Sequence, residues 1–398
     1  MLKVKYTDHV TNKKVKELIG AENIQWAEDL ARRKLKFAGH VMRGCCDTLT
    51  QLVLEGLVEG KRDRGRHSLF EIFRKLIRNF RYLFHSTMYS VICFLGTAIS
   101  LLFLYLVYKL WNLLYIHFIG HALGKTPNFK DFGKWCVVTG CTSGIGRMYA
   151  KAFAQKGLDM VLISRDPIKL DSLGKELQET YGVNIKIVVA NFENATKQMY
   201  KSIRSEIQDL DIGILVNNVG KVQTISKFCD LQNADDEIFS IINTNITPHT
   251  LLSSMILPKM VKKDKGLVLF ISSISALMPC QEFQLYGATK AYIDYLSRTL
   301  DMEYGSETII IQSVVPGAVC SNIVRMEPSL ITPSSEEYVQ SQLKTVGLAT
   351  RTVGYFWHNM HIIFMELAKY LSKKTLREAV GGNVAKMKET GFSYQFSK

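Results

Sequence analysis

Thr139-Gly140-Cys141-Thr142-Ser143-Gly144-Ile145-Gly146 is the stretch that decides how this chain folds. An apolar run, Trp135-Cys136-Val137-Val138, leads into it, and an amphipathic stretch over 147–156 leaves it. Glycine is needed in such a strand-to-helix turn because the chain reverses tightly and its backbone must come close to a pyrophosphate. The following helix offers unpaired N–H groups and the positive end of its dipole to those phosphates. A glycine-rich turn alone is weak evidence; a strand before it and a helix after it make it informative. Gly140, Ser143, Gly144, Ile145 and Gly146 are therefore expected to cradle a dinucleotide.

Outward from the turn, apolar runs at 135–139, 160–164, 186–190, 213–217, 267–272 and 309–314 alternate with helical patterns such as 147–156, 168–180 and 196–208. Near-continuous Val, Ile and Leu strands separated by helices belong to a parallel sheet covered on both faces. The expected fold is α/β, a doubly wound parallel sheet of Rossmann type. No internal repeat is visible. Residues 326–398 read as a substrate loop and helical tail, in which His358 and His361 read as interfacial helix residues.

The second strand ends in Ser164-Arg165. A carboxylate there would hydrogen-bond the adenosine ribose and select NAD, whereas an arginine accommodates a 2′-phosphate. Arg165 thus points to NADP(H), against the blander reading of a surface arginine at a strand end. Ser273 follows the fifth strand, and Tyr286 and Lys290 are spaced i, i+4, on one face of the next helix. A tyrosine titrates near pH ~10 and is a poor acid or base at neutrality. A nearby ammonium, helped by the positive nicotinamide of the oxidised cofactor, is expected to lower that value. Tyr286 could then exchange a proton with a substrate oxygen that Ser273 holds.

Together these motifs resemble the short-chain dehydrogenase/reductase superfamily over roughly residues 130–325. The family's TGxxxGxG corresponds to Thr139 through Gly146, and its NNxG to Asn217-Asn218-Val219-Gly220. Its YxxxK corresponds to Tyr286 and Lys290, and its serine thirteen residues before the tyrosine to Ser273. The resemblance implies a fourth catalytic residue, an asparagine holding a relay water, at Asn245, with Asn243 the alternative. It also implies cofactor contacts at Asn191, Asn217, Asn218, Gly220, Tyr286, Lys290, Pro316, Gly317 and Ser321. Asn191 departs from the family's aspartate near the adenine.

Within the superfamily the chain resembles membrane-bound 17-beta-hydroxysteroid dehydrogenases and very-long-chain 3-oxoacyl-CoA reductases. That likeness is carried by Val161-Leu162-Ile163-Ser164-Arg165, Ile212-Gly213-Ile214-Leu215-Val216, Lys344-Thr345-Val346-Gly347-Leu348, Arg351-Thr352 and Gly354-Tyr355. Leu114-Tyr115-Ile116-His117-Phe118-Ile119 resembles hydroxysteroid dehydrogenase-like proteins, some of which lack the catalytic tyrosine that this chain keeps. The resemblance implies an NADPH-dependent reductase of a lipid ketone, in fatty acid elongation or steroid metabolism. It implies an endoplasmic reticulum membrane location with a cytosolic catalytic domain, or else the mitochondrion. A homodimer is allowed. The sequence ends Gln395-Phe396-Ser397-Lys398, without a dilysine retrieval signal. The competing expectation is a catalytically silent NADP-binding scaffold at a membrane.

The front of the chain differs. The formal net charge is +14, with the basic excess concentrated ahead of residue 88. A basic front suits anionic lipid or nucleic acid, and equally a solvated charged segment. Residues 86–108 contain no Asp, Glu, Lys, Arg or His, and as a helix would span roughly 34 Å, enough to cross a bilayer. The span lies too far into the chain for a signal peptide. The shorter stretch 110–119, with Trp111 and His117, suits an interfacial or re-entrant helix, so 86–123 is expected to be the anchor. Arg74, Lys75, Arg78 and Arg81 before the span favour a cytosolic N-terminus. The eight cysteines form no CxxC pair and read as reduced thiols, which favours a cytosolic catalytic part instead. The topology therefore stays open. Arg32-Arg33-Lys34-Leu35-Lys36-Phe37 and Gly60-Lys61-Arg62-Asp63-Arg64 resemble the tail of a retrotransposon reverse transcriptase, covering residues 1–68. A fused exon or a gene-model join accounts for that; nucleic acid is not expected as a partner. His40 and His67 lack partners at metal-ligand spacing, so no zinc site is assigned.

Overall fold

The computed structural model describes residues 67–371, with side chains over 74–366. Residues 1–66 of the reverse-transcriptase-like segment, Cys45 and Cys46 among them, lie outside the described residues. The chain divides after Ser100 into two compact units.

In the second unit, seven parallel strands stand in the order β3-β2-β1-β4-β5-β6-β7. They are β1 (Trp135–Thr139), β2 (Asp159–Ser164), β3 (Ile185–Val189), β4 (Ile212–Asn217), β5 (Gly266–Ile271), β6 (Ile309–Val314) and β7 (Arg351–Thr352). The longer described helices, the first of which begins in the first unit, are α1 (His67–Leu114), α2 (Gly144–Gln155), α3 (Pro167–Tyr181), α4 (Lys197–Ile207), α5 (Ala234–Asn245), α6 (Thr247–Lys262), α7 (Gln284–Tyr304), α8 (Ser335–Leu343) and α9 (Phe356–Leu371). Six strands fall where the apolar runs predict them, with no end shifted by more than a residue. β7 was not expected: two residues pairing with Ser313 and Val314 are too short to show a periodicity.

The sheet is apolar on both faces because successive side chains of a strand point to opposite sides. Cys136 and Val138 of β1 join Leu162, Tyr149 and Phe153 in one core. Val137 between them joins Val161, Leu215, Ile203 and Ile256 in the other. Helix ends are set locally. Asp166 caps α3, accepting from Ile168 N and Lys169 N, and Gly182 ends it in the left-handed conformation.

Among the described residues one helical segment, Arg74–Ala122, is long and apolar enough to cross a membrane. Three of its hydroxyls are satisfied within the helix: Thr87, Ser90 and Thr97 donate to the carbonyls of Leu83, Ser86 and Cys93. The stretch 110–119, expected as an interfacial or re-entrant helix, is continuous with the long helix before it. α1 runs on to Leu114 and widens into a π-helical turn, Tyr115–Ile119, which buries Ile116 and His117. Asn359 donates to His117 Nε2 at 2.7 Å, and the Phe118 and Phe356 rings pack at 5.3 Å. Ile116 and His117 thus pack within the second unit, while Leu110, Trp111 and Phe118 of the same stretch stay exposed.

Candidate active site

The strand order reverses between β1 and β4, and open α/β sheets bind ligands in the crevice at the carboxyl ends of the strands at such a point. A cavity of about 770 Å³ lies there, within the range of small-molecule sites.

One end of it is the glycine turn. Gly140 and Gly144 have φ of 64° and 54°, the region that favours glycine. A Cβ on Gly146 would stand 2.3 Å from Gly140 O and 2.4 Å from Asn218 Nδ2. Asn218 braces the turn from within, its Nδ2 donating to Thr139 O at 2.9 Å and Gly140 O at 3.3 Å. Thr139 Oγ1 in turn accepts from the Asn218 and Val219 N–H groups. No side chain caps the start of α2, so its first N–H groups stay available to an anion. This cradle, which any Cβ at Gly146 would spoil, fits a dinucleotide pyrophosphate.

Along the side, Arg165 lies on the wall with Nη1 3.5 Å from Glu193 Oε2. Lys221, almost fully buried, donates to Glu193 Oε1 at 2.6 Å and to Ser240 Oγ at 2.7 Å. Burial opposes ionisation of Glu193. Hydrogen bonds from Lys221 and Ser240, and the charges of Lys221 and Arg165, together outweigh it and hold the carboxyl below its usual range. Asn191 is on the wall and accepts from Glu193 N at 3.2 Å.

At the other end stand Ser273, Tyr286 and Lys290. Lys290 is 4% exposed, and its Nζ donates to Ile271 O at 2.8 Å and stands 5.7 Å from the centre of the Tyr286 ring. Burial pushes its amine down to about 7. Burial likewise pushes the Tyr286 phenol up, opposed by hydrogen bonding with Ser273. The downward shift expected for Tyr286 counted the positive nicotinamide as well as the ammonium; the protein's own groups push it upward. Desolvation outweighs the pairing here, and it weakens the ammonium itself.

Most of the predicted residues share this one wall: Gly140, Ser143, Gly144, Ile145, Gly146, Arg165, Asn191, Asn218, Gly220, Pro316, Gly317 and Ser321, with the trio. Asn217 and Asn245 stand one layer back. Asn217 Nδ2 donates to Ser253 Oγ at 2.9 Å. Asn245 brackets Lys221, accepting from its N–H at 2.8 Å and donating to its carbonyl at 2.9 Å. Its Oδ1 lies 3.5 Å from where a Gly220 Cβ would be, and Lys290 Nζ lies 3.2 Å from the same point. Asn243 instead reaches Glu193 O.

Glu193, Lys221, Thr244 and Ser272 also line the wall and were not foreseen. Lys221 directly follows the NNxG motif, which was the available signal. His358 is not interfacial: it is 2% exposed, and its ring nitrogens meet the backbone of Gly317 and Ala318. Beside Tyr286, the buried Val222 and Phe283 pack with Ile225, Cys280 and Ile323 into an apolar wall. The described cysteines are all free thiols.

Residues 134–329 match the short chain dehydrogenase family. The very-long-chain 3-oxoacyl-CoA reductase of Homo sapiens is 38% identical over 66% of this chain and 83% of its own length. The inactive hydroxysteroid dehydrogenase-like protein 1 of Homo sapiens is 36% identical over 64% of this chain and 78% of its own. Among solved structures, a short-chain dehydrogenase from Sphingobium yanoikuyae in complex with NADPH superposes with a TM-score of 0.50 at 28% identity, covering 58% of this chain and 94% of that one.

Proposed function

This chain belongs to the short chain dehydrogenase family, and on that premise we propose that it is a membrane-anchored, NADPH-dependent reductase of a lipid ketone. The observation that carries the reading is convergence: a proton donor, its lysine and a serine stand at one end of the cavity whose other end is the glycine turn.

The bound dinucleotide supplies the hydride. Gly140 to Gly146 would hold its pyrophosphate and Arg165 its 2′-phosphate. Ser273 holds the substrate oxygen, and Tyr286 gives that oxygen its proton as the carbonyl becomes an alcohol. Lys290 is kept beside the phenol by Ile271 O. The apolar residues next to Tyr286 favour a hydrocarbon-bearing substrate and exclude water from the reacting carbonyl. The long apolar helix and the named activity of the 3-oxoacyl-CoA reductases support a lipid substrate at a membrane.

The relative named inactive favours a second reading, an NADP-binding scaffold. NADPH oxidation by the full-length chain in membranes, offered a long-chain 3-oxoacyl-CoA or a 17-ketosteroid, separates the two. Turnover of either ketone supports the reductase and names its class. NADPH binding with no turnover of any lipid ketone would favour the scaffold.

A further inference from the structure

We propose that His358 is a positioning residue for the reaction end of the cavity, acting by holding the Pro316-Gly317-Ala318 backbone that forms its wall. The inference rests on the dinucleotide reading above.

Consecutive backbone groups use both nitrogens of the ring. Gly317 N donates to Nδ1 at 3.1 Å, and Nε2 lies 3.1 Å from Ala318 O. Because Nδ1 accepts, it carries no proton, and Nε2 must be the donor to the carbonyl. One neutral tautomer satisfies both groups; an imidazolium would leave the Gly317 N–H without its acceptor. Burial supports that state, pushing the imidazole down to about 4 even though hydrogen bonds to the backbone of Ala318 and Ile331 raise it.

The wall is shaped around the ring. A Cβ on Gly317 would stand 2.8 Å from His358 Cδ2 and 3.0 Å from Cγ, so glycine is what lets imidazole and backbone meet. The ring is caged by Tyr355, edge-on at 5.2 Å, and Tyr338 at 5.7 Å. Both cage residues are tied down: Tyr338 donates to Val353 O at 3.0 Å and Tyr355 to Glu337 at 2.8 Å. Asn359 and Phe356, in the same turn of α9, are held by His117 and Phe118.

The segment it holds belongs to the reaction end. Pro316 O accepts from Ile274 N at 2.9 Å, directly after Ser273, and the next fixed point is Cys320 N on Pro333 O. Between those anchors, His358 holds Gly317 and Ala318. Pro316, Gly317 and Val319 all face the cavity, so a shift of this backbone displaces whatever ring lies against it. Misplacing a reacting group by about 1 Å can cost ~10²-fold in rate.

The test compares the full chain with His358→Phe, His358→Asn and Gly317→Ala. The last displaces the ring without altering α9, and the asparagine keeps an acceptor while losing the reach to Ala318. Three quantities are read: NADPH affinity, the emission spectrum of bound NADPH, and kcat on the ketone that the wild type reduces. In His358→Phe, kcat should fall about 10²-fold. Affinity should change far less, because the glycine turn is untouched. Bound-NADPH emission should move toward that of free NADPH, as the ring loses its fixed surroundings. His358→Asn and Gly317→Ala should shift the same way by less, and they carry the comparison if the phenylalanine variant does not fold. Wild-type emission and kcat in the variants would overturn the inference, as would equal losses of affinity and kcat. A wild-type chain that fails to bind NADPH overturns the function with it. A wild type that binds, with variants that match it, overturns this inference alone.

Discussion

At the glycine turn the surface offered to a ligand is backbone, and side chains hold it from behind. Beside Tyr286 the offered surface is side chains, and backbone holds them. Asn218 and Thr139 brace the turn through four hydrogen bonds to or from main-chain groups. Lys290 is steadied by one main-chain carbonyl, that of Ile271. The first plan suits phosphate, which needs donors at fixed positions and tolerates no side chain in between. The second suits proton transfer, which needs a titratable group in a shielded place. The two ends should therefore fail differently, one in affinity and the other in rate.

The sharpest break is Tyr286→Phe. Removing the proton donor should lower kcat by about 10²–10⁴-fold with NADPH affinity nearly unchanged. A variant turning over at the wild-type rate would deny Tyr286 that role. The counterpart is Gly146→Val, which must push Gly140 and Asn218 apart. Overpacking of about 1–3 kcal/mol should weaken NADPH binding about 5–150-fold, while kcat at saturation stays close to wild type. A pure rate defect there would erase the contrast between the ends.

Arg165→Asp probes the side wall. The wild type should prefer NADPH, and the variant should lose that preference by about tenfold or more, since a charged hydrogen bond is worth roughly 1.5–3 kcal/mol. Equal use of both cofactors by the wild type would count against Arg165.

Lys290→Met gives a smaller, pH-dependent effect on stability. Burial lowers the native amine to about 7, below its unfolded value. Between those values the unfolded chain binds more protons, so wild-type stability rises with pH from about 7 upward. The burden of the charged amine is full below about 7 and fades as the pH rises toward the unfolded value. The melting temperature of Lys290→Met relative to wild type should thus be higher at pH 6 than at pH 9. A constant difference would mean that the amine is not desolvated. The smallest expected change is that of deleting residues 1–68, which should leave membrane pelleting and carbonyl reduction as they are. Arg74, Lys75, Arg78 and Arg81 still precede the span. A soluble or inactive truncated chain would make the front part of the enzyme.

The two ends also differed in how far they could be read. A glycine that must exist because no Cβ fits is visible as a letter, so the turn was plain from its spacing. Ser273, Tyr286 and Lys290 were found by their intervals along one strand end and one helix. The direction of the Tyr286 shift was not, because spacing tells which groups meet and not how much water surrounds them. Glu193 and Lys221 were missed because an ion pair across 28 positions leaves no local pattern. His358 was misread because a histidine in an apolar helix looks the same whether it faces an interface or a buried loop.

Sequence alone determined the parallel doubly wound sheet, through six apolar runs separated by amphipathic helices, and the identity of the turn between β1 and α2. Both follow from local rules: the pleat, the helical period and the room a Cβ needs. Tertiary structure alone decided that Tyr115–Ile119 packs into the second unit, that β7 closes the sheet edge, that Asn217 and Asn245 stand behind the cavity wall, and that His358 grips the loop after β6. Each depends on which distant groups are brought together and on how far water is excluded around them, and neither quantity is a property of any short stretch of chain.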